Sequence, residues 1–255
     1  RRRASAAPDP ILALFASGQR GAYLSAWQLD SLFQDAAGTT SASADDDVIG
    51  KMTDLDGNTD NSVTAANAAW RPKLQTDAEG HRYIQFDGTD DFLQSAAGVF
   101  STAISELWFA MAIGSSDYTV RNVIGVSDGG YSTGDHFCFI DLNLAGQLNI
   151  QIDNGPTTAR IKTATITQPS IIHGYWDGTN IFLRIDGAAI VSAAFDVAPF
   201  LMDQELDVGA LDNNGSVVVQ SPIRLYGLIV RDKAPSAEEI ALVDEEFAKH
   251  SPVTI

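Results

Sequence analysis

The stretch Trp176-Asp-Gly-Thr-Asn-Ile-Phe-Leu-Arg-Ile-Asp-Gly187 decides the fold of this chain. It contains two tight-turn signals, Asp177-Gly178 and Asp186-Gly187, on either side of a short, largely apolar segment. Glycine after aspartate supplies the positive φ that hairpin turns need. We therefore expect three antiparallel strands to meander through residues 170–195.

Similar short patterns, separated by Gly, Asn and Asp, fill most of the remaining chain. This punctuation is typical of an antiparallel sandwich or barrel and not of alternating strands and helices. The sequence therefore predicts an all-β, two-sheet sandwich. Its strands are expected near residues 71–76, 81–87, 106–114, 120–126, 136–142, 147–153, 158–166, 170–176, 180–186, 189–195, 204–210 and 222–231.

The N-terminal part predicts a short helix. Asp9 provides an N-cap, Pro10 suits the first helical position, and Gly18 ends the apolar pattern. We interpret residues 1–19 as an arm that attaches the chain to a larger structure.

The C-terminal part predicts a longer helix. Ser236 and Glu239 match a capping box, and the apolar stripe that follows them continues to His250. Residues 20–255 are therefore expected to form one domain that ends in this helix.

Composition excludes several classes of function. The 255 residues carry 16 basic and 33 acidic side chains, and a net charge of −17 argues against a nucleic-acid partner. No apolar run reaches the roughly 18 residues of a membrane span, so no membrane insertion is expected. Residues 1–10 lack the apolar stretch of a signal peptide. The single cysteine, Cys138, excludes an intrachain disulfide.

Four segments together resemble the laminin-G-like branch of the concanavalin A-like lectin/glucanase superfamily. They are Phe86-Asp-Gly-Thr-Asp-Asp-Phe-Leu93, the stretch 176–187 quoted above, Leu206-Asp-Val-Gly209 and Arg224-Leu-Tyr-Gly-Leu-Ile-Val230. The resemblance covers roughly residues 20–232. It implies an antiparallel jelly roll, to which the two helices would be added.

A narrower resemblance lies in the N-terminal third. The segments Ala13-Leu-Phe-Ala-Ser-Gly-Gln-Arg-Gly-Ala-Tyr23, Leu32-Phe-Gln-Asp-Ala-Ala-Gly-Thr-Thr40 and 54–61 leading to Arg71-Pro72 are similar to proteins of tailed bacteriophages and prophages. This resemblance implies a virion component of a fibre, spike or decoration structure, assembled in the host cytoplasm. Other virion proteins and further copies of the same chain are the expected partners.

Catalytic patterns are incomplete in this sequence. The Glu-x-Asp-x-x-Glu strand of a retaining glucanase is approached by Glu205-Leu-Asp207, but Ala210 occupies the third carboxylate position. Ordinary strand alternation would leave Glu205 and Asp207 in solvent. We therefore assign no catalytic residue from this strand.

A lyase would need a base such as His or Tyr on a strand. The pairs His81 with Tyr83 and His173 with Tyr175 have the required spacing, and Arg82 and Arg184 are also strand residues. A hydrolase or lyase of host capsule or wall glycan therefore stays the alternative to a non-enzymatic role.

The best metal candidate is a loop rich in side-chain oxygens. Asp54, Asp56, Asn58 and Asp60 alternate like the first half of a calcium loop, although Thr59 replaces the expected turn glycine. We expect an Asx-rich turn with calcium as a possible ligand and no required cofactor.

Glycan binding is expected in two loops that combine an aromatic ring with Asp and Asn. The candidate residues are Tyr131, Asp135, Asp212 and Asn213. Trp70, Trp108 and Trp176 are expected in the core because they lie in strand patterns. The leading hypothesis is a non-enzymatic bacteriophage structural protein that displays a lectin-like domain and binds host surface polysaccharide.

Overall fold

The computed structural model describes residues 9–57, 60–115, 121–126, 138–142, 147–154, 157–166, 169–213, 216–218, 220 and 222–255. The strands found in these residues, in chain order, are β1 (Gly21–Ser25), β2 (Leu32–Phe33), β3 (Lys51–Met52), β4 (Val63–Thr64), β5 (Lys73–Thr76), β6 (Arg82–Gln85), β7 (Leu93–Gly98), β8 (Leu107–Ser115), β9 (Arg121–Val126), β10 (Cys138–Leu142), β11 (Gln147–Asp153), β12 (Thr158–Thr165), β13 (Ser170–Trp176), β14 (Asn180–Ile185), β15 (Val191–Ala194), β16 (Glu205–Val208), β17 (Leu211–Asn213), β18 (Ser216–Val218) and β19 (Ile223–Arg231). One α-helix, α1 (Ala237–Lys249), follows them, and the short helices Pro10–Phe15, Leu29–Ser31 and Ala68–Trp70 are 3-10 helices.

The strands form a sandwich of two antiparallel sheets. In the eight-stranded sheet the order is β15-β14-β13-β8-β19-β6-β5, and β1 pairs with the second half of β19. In the nine-stranded sheet the order is β12-β11-β10-β9-β16-β7-β4-β3-β2. β17 and β18 form a separate hairpin. This arrangement confirms the predicted jelly-roll sandwich.

The main core lies between the two sheets. Strand alternation places Leu107, Phe109 and Met111 of β8 in this core, where they meet Ile150 and Leu206 of the nine-stranded sheet. Burying such side chains contributes roughly 1.5–3 kcal/mol each. The interior between the sheets therefore supplies most of the apolar burial.

A second apolar layer covers the outer face of the eight-stranded sheet. Trp108 and Ala110, the alternate residues of β8, contact a cluster that includes Ile11, Val243 and Phe247 from the two terminal helices. β8 is therefore buried on both faces, which explains its nearly continuous apolar sequence.

A buried ion pair fixes the start of α1 on the sheet. Arg231 is fully buried, and its two terminal nitrogens lie 2.8 Å from the carboxylate oxygens of Glu239. The guanidinium also lies over the Trp108 ring, 4.8 Å from the centroid. Bidentate geometry of this kind sets orientation as well as attraction.

Both predicted helices are present. The Ser236 hydroxyl accepts from the Glu239 amide, and the Glu239 carboxylate accepts from the Ser236 amide, so the capping box is confirmed. The N-terminal helix is a 3-10 helix capped by Asp9, whose carboxylate accepts from the Ile11 amide at 2.9 Å. Among the described residues, no helix is long and apolar enough to cross a membrane.

All twelve predicted strands are present, with ends that shift by a few residues. The prediction missed β1, β7, the hairpin strands β17 and β18, and the two-residue strands β2, β3 and β4. Trp108 and Trp176 are fully buried as predicted, whereas Trp70 is half-buried against Phe92.

Candidate functional site

The two outer faces of the sandwich have different chemistry. Apolar side chains and the terminal helices cover the eight-stranded sheet. On the nine-stranded sheet, β11 turns Leu148, Ile150 and Ile152 into the core, and the alternate residues lie on the opposite face. Those alternate residues are Asn149, Gln151 and Asp153.

Strand register joins these side chains to others in one row across the sheet. Gln94 pairs with Asp207, Asp207 with Gly125, Gly125 with Phe139, Phe139 with Gln151, and Gln151 with Arg160. We call Gln94, Asp207, Asn149, Gln151 and Arg160 the polar row. Asn149 belongs to it as the neighbour of Gln151 on the same face.

Hydrogen bonds fix the orientation of this row at both ends. Gln94 Nε2 donates to Asp207 Oδ1 at 3.0 Å. Arg160 Nε donates to Gln151 Oε1 at 2.7 Å, and Arg160 Nη2 donates to the same oxygen. Side chains locked by such bonds on strands hold a ligand-binding geometry more precisely than loop residues do.

The side chains at the centre of the polar row are buried. The exposed fraction is 1% for Asp207, 3% for Asn149 and 6% for Gln151. Asn149 Oδ1 has no hydrogen-bond partner in the described part of the chain. A buried acceptor without a partner costs about 1–3 kcal/mol. The row therefore contains one buried acceptor that the described residues leave unsatisfied.

Positive charge lies at one end of the row. Arg160 and Lys162 are exposed on β12, where they pair with Gln151 and Asn149 of β11. In a chain of net charge −17 these two cations stand beside neutral amides. The arrangement provides amide donors, amide acceptors and a positive edge on one face.

The predicted glycan residues are only partly described. Tyr131 and Asp135 lie outside the described residues. Asp212 and Asn213 lie in β17, described by its backbone, which forms a separate hairpin with β18 and contacts β9 and β16. Glycan binding by these four residues stays a prediction.

The predicted calcium loop is held together by its first aspartate. Asp54 Oδ1 accepts from the amides of Tyr23 and Asp56 at 2.9 and 3.1 Å, and Asp54 Oδ2 accepts from the Asn61 amide at 3.1 Å. Burial is the largest effect on this carboxyl and raises its pKa to about 7. Asp56 is buried, and Asp60 accepts from the Ser62 hydroxyl at 2.8 Å.

Asn58 lies outside the described residues, so calcium binding by this loop stays a prediction. The contacts of Asp54 show an Asx-rich turn, which is the other expectation for this segment.

Another group of carboxylates lies in the turn after β6. One oxygen from each of Asp87, Asp90 and Asp91 falls within 4.8 Å of the others. Asp87 Oδ1 accepts from the Thr89 amide at 2.7 Å, and Asp91 Oδ2 accepts from the Asp87 amide at 2.8 Å. These carboxylates therefore build the turn.

The candidate base His173 is enclosed beneath α1. Its Nε2 lies 2.8 Å from Asp244 Oδ1, and Arg184 Nη1 donates to Asp244 Oδ2 at 2.5 Å. Burial lowers the pKa of His173. Because the side chain has no exposed surface, this geometry gives it no access to a substrate. Tyr175 stacks on Phe182, with ring centroids 4.6 Å apart.

The second candidate pair is also engaged within the fold. His81 Nδ1 lies 3.0 Å from Asp77 Oδ2, and Tyr83 packs against Tyr226.

The expectation for β16 needs one correction. Leu206 and Val208 point into the core as predicted, but Asp207 is not in solvent. It lies between β7 and β9, near the middle of a wide sheet, where Gln94 contacts it. Glu205 is half-buried at the start of the strand.

Sequence reasoning missed the polar row, although one signal was present. Gln147–Asp153 alternates strictly between apolar residues and Asn, Gln and Asp. Asn, Gln and Asp are mostly exposed in folded proteins, so the alternation alone predicts a solvent face, and only the structure shows that these side chains are buried.

Comparison with known proteins supports the fold. Neither a protein-family model nor a curated protein sequence matches the chain. Among solved structures, the binding domain of botulinum neurotoxin serotype D matches with a TM-score of 0.55 and 12% identity over 77% of this chain and 48% of that chain. The receptor binding domain of botulinum neurotoxin D gives 0.51 and 9% over 78% and 52%.

A carbohydrate-binding module, CBM40 of the Ruminococcus gnavus IT-sialidase bound to α2,3-sialyllactose, gives a TM-score of 0.47 and 12% identity. That match covers 55% of this chain and 82% of the module. At these identities the shared property is the β-sandwich jelly-roll fold.

Proposed function

We propose that this chain is a glycan-binding jelly-roll module whose site is the polar row of the nine-stranded sheet. The observation that carries the proposal is the withdrawn, hydrogen-bonded row with the unpartnered acceptor Asn149 Oδ1. Asp212 and Asn213, together with Tyr131 and Asp135, would supply the rim of this site.

The chemistry of the row suits sugar hydroxyls. Each hydroxyl both donates and accepts, and the side-chain amides of Asn149, Gln151 and Gln94 offer both functions. Asp207 adds a carboxylate acceptor. Asn149 Oδ1 has no exposed surface, so a ligand hydroxyl that donates to it must first displace the groups that cover it; satisfying the unpaired oxygen then offsets part of that cost.

The charges favour glycans that carry acidic groups. Arg160 and Lys162 are the exposed cations beside the row, and an acidic sugar placed against them would escape the repulsion of the chain's net negative charge. The two neurotoxin domains that share the fold are described as binding and receptor-binding domains. Their fold is thus compatible with a recognition role.

A glycan array followed by titration calorimetry tests the proposal. Asn149→Ala and Gln94→Ala each remove hydrogen-bonding groups from the row, and about tenfold weaker binding is expected. Gln75→Ala is the matched control, because Gln75 Nε2 also donates to an aspartate, Asp46 at 2.9 Å, but lies on β5 of the other sheet.

Absence of binding across neutral and acidic glycans would overturn the proposal, as would equal loss in the control. The array run with calcium and then with a chelator also tests the predicted ion at Asp54, Asp56, Asn58 and Asp60.

We further propose that the module is carried on a bacteriophage particle as a fibre, spike or decoration component, next to other virion proteins and in multiple copies. The support is the resemblance to phage and prophage proteins that the sequence alone suggests, in Ala13–Tyr23, Leu32–Thr40 and 54–61 leading to Arg71-Pro72. Mass spectrometry of purified particles is expected to detect the chain in stoichiometric amounts. Particles without it would contradict this placement and leave the glycan proposal intact.

A further inference from the structure

The turn between β5 and β6 brings together three side chains that bind metals. Asp77, Glu79 and His81 each offer one ligand atom, and these atoms lie within 4.8 Å of one another. We propose that this turn binds a divalent transition-metal ion, for which Zn²⁺ is the appropriate probe. One imidazole nitrogen with two carboxylates is a donor set that such ions accept.

The backbone of the turn is already fixed in a ligand-presenting shape. The Asp77 amide donates to the His81 carbonyl at 2.9 Å, and the Gly80 amide donates to the Asp77 carbonyl at 3.1 Å. Gly80 has φ +93, a conformation that side-chain-bearing residues rarely adopt. The three ligands therefore need little further ordering when an ion binds.

The two oxygens of Asp77 have separate roles. Oδ1 accepts from the amides of Glu79 and His81 at 3.0 and 2.8 Å, which holds the carboxylate in the turn. Oδ2 points to His81 Nδ1 at 3.0 Å. Two ligand atoms that lie about 2.1 Å from a tetrahedral ion are about 3.4 Å apart. The two atoms are therefore held as a hydrogen-bonded pair at 3.0 Å, and a bound ion would require them to separate by about 0.4 Å.

The third ligand comes from Glu79, which is an exposed residue of the same turn. The Tyr226 hydroxyl donates to Asp77 Oδ2 at 3.5 Å, so a bound ion would replace this long hydrogen bond. The coordination positions left over would be filled by water or by a ligand hydroxyl.

Zinc titration of tag-free, chelator-treated protein tests the site. We expect one ion per chain, measured by calorimetry, and a visible absorption band when Co²⁺ replaces zinc. His81→Gln and Glu79→Gln should each weaken binding about tenfold or more. His250→Gln is the matched control, because its Nε2 faces Glu246 Oε1 at 3.3 Å in a different part of the fold. Asp90→Asn controls for binding by the carboxylates after β6.

Two results would overturn the inference. One is no zinc binding at millimolar concentration, and the other is unchanged affinity in both turn variants. Glu79 is an exposed turn residue, so Glu79→Gln keeps the fold and stays informative even if His81→Gln destabilises the chain. Circular dichroism of each variant separates loss of binding from loss of structure.

Discussion

At the residue scale, the surroundings of two turn aspartates shift their pKa values in opposite directions. Asp35 accepts from the backbone amides of Thr39 and Thr40 in an exposed turn, and these bonds lower its pKa to about 2. Burial instead raises the pKa of Asp91 to about 6. Both residues read as turn aspartates in the sequence. The difference arises from what packs on each turn, which local sequence does not specify.

Asp91 predicts a defined pH dependence of stability. Its pKa of about 6 in the folded chain lies above the ordinary aspartate pKa of 3.8, so the folded chain binds more protons than the unfolded chain between these values. The contribution of Asp91 to stability is therefore fully present below pH 3.8 and is lost as pH rises towards 6. Over this range the free energy of unfolding falls by up to about 1.4 kcal/mol per pH unit. Asp91→Asn should make the decline across this range shallower, as measured by urea unfolding.

The matched variant for this experiment is Asp35→Asn. Its pKa of about 2 places its titration below the tested range, so the slope should not change. A wild-type stability that rises from pH 4 to pH 6 with the same slope in Asp91→Asn would contradict the assignment.

The candidate site was predictable only in part at this scale. Asp212 and Asn213 were expected in a loop, whereas they lie in the strand β17, whose hairpin with β18 contacts β9 and β16; their glycan-binding role stays a prediction. Gln94, Gln151 and Arg160 come from strands distant in sequence, and only the strand order brings them into one row. Turn chemistry is local, whereas a sheet-face site depends on register between strands.

At the element scale, strands with period-two alternation or clear turn boundaries were predictable. β14 shows both signals between its two Asp-Gly turns. β1 showed neither, because all five of its residues are buried. β7 contains small residues in place of β-branched ones. The two-residue strands β2, β3 and β4 exist through pairing in the folded sheet, and their sequences carry too few residues for a pattern.

Close packing of β1 on β19 predicts a strong effect of one methyl group. A Cβ added to Gly21 would lie 1.8 Å from the Val230 carbonyl oxygen, so Gly21→Ala must separate the paired strands. We expect a loss of about 2–4 kcal/mol in the free energy of unfolding.

Gly18→Ala is the control for backbone conformation alone. Gly18 has φ +79 but no atom within 4 Å of an added Cβ, so the expected cost is about 1 kcal/mol. Chemical denaturation of both variants makes the comparison. Equal losses would show that β1 and β19 are not held this closely.

At the scale of the whole molecule, the outer faces of the two sheets differ in chemistry. The eight-stranded sheet uses its outer face for stability, with Phe247 and Phe15 packed on Trp108 and its neighbours. The nine-stranded sheet carries polar groups on its outer face. Acidic residues behind the net charge of −17 lie in turns such as 54–60 and 87–91. Repulsion between carboxylates is therefore strongest at the connections between strands.

The net charge predicts that added salt stabilises the folded chain. In a molecule held by surface ion pairs, added salt would instead destabilise the fold. The excess of 33 acidic over 16 basic residues makes self-repulsion the larger electrostatic contribution. Raising ionic strength from about 10 mM to about 150 mM shortens the screening length to about 8 Å. We expect the free energy of unfolding to rise by about 1 kcal/mol, or Tm by about 2–4 °C. Calorimetry in sodium chloride measures this, and a fall in Tm would contradict it.

The position of β19 has a consequence for how the chain is made. β19 lies between β8 on one side and both β6 and β1 on the other, yet its residues 223–231 follow every other strand of this sheet in chain order. Gly21 pairs with Arg231 across more than two hundred residues of chain. Such distant pairings make folding slow. A ribosome must therefore release residues 21–231 before the eight-stranded sheet can close, and until then the unpaired edges of its earlier strands are exposed to other proteins in the cell.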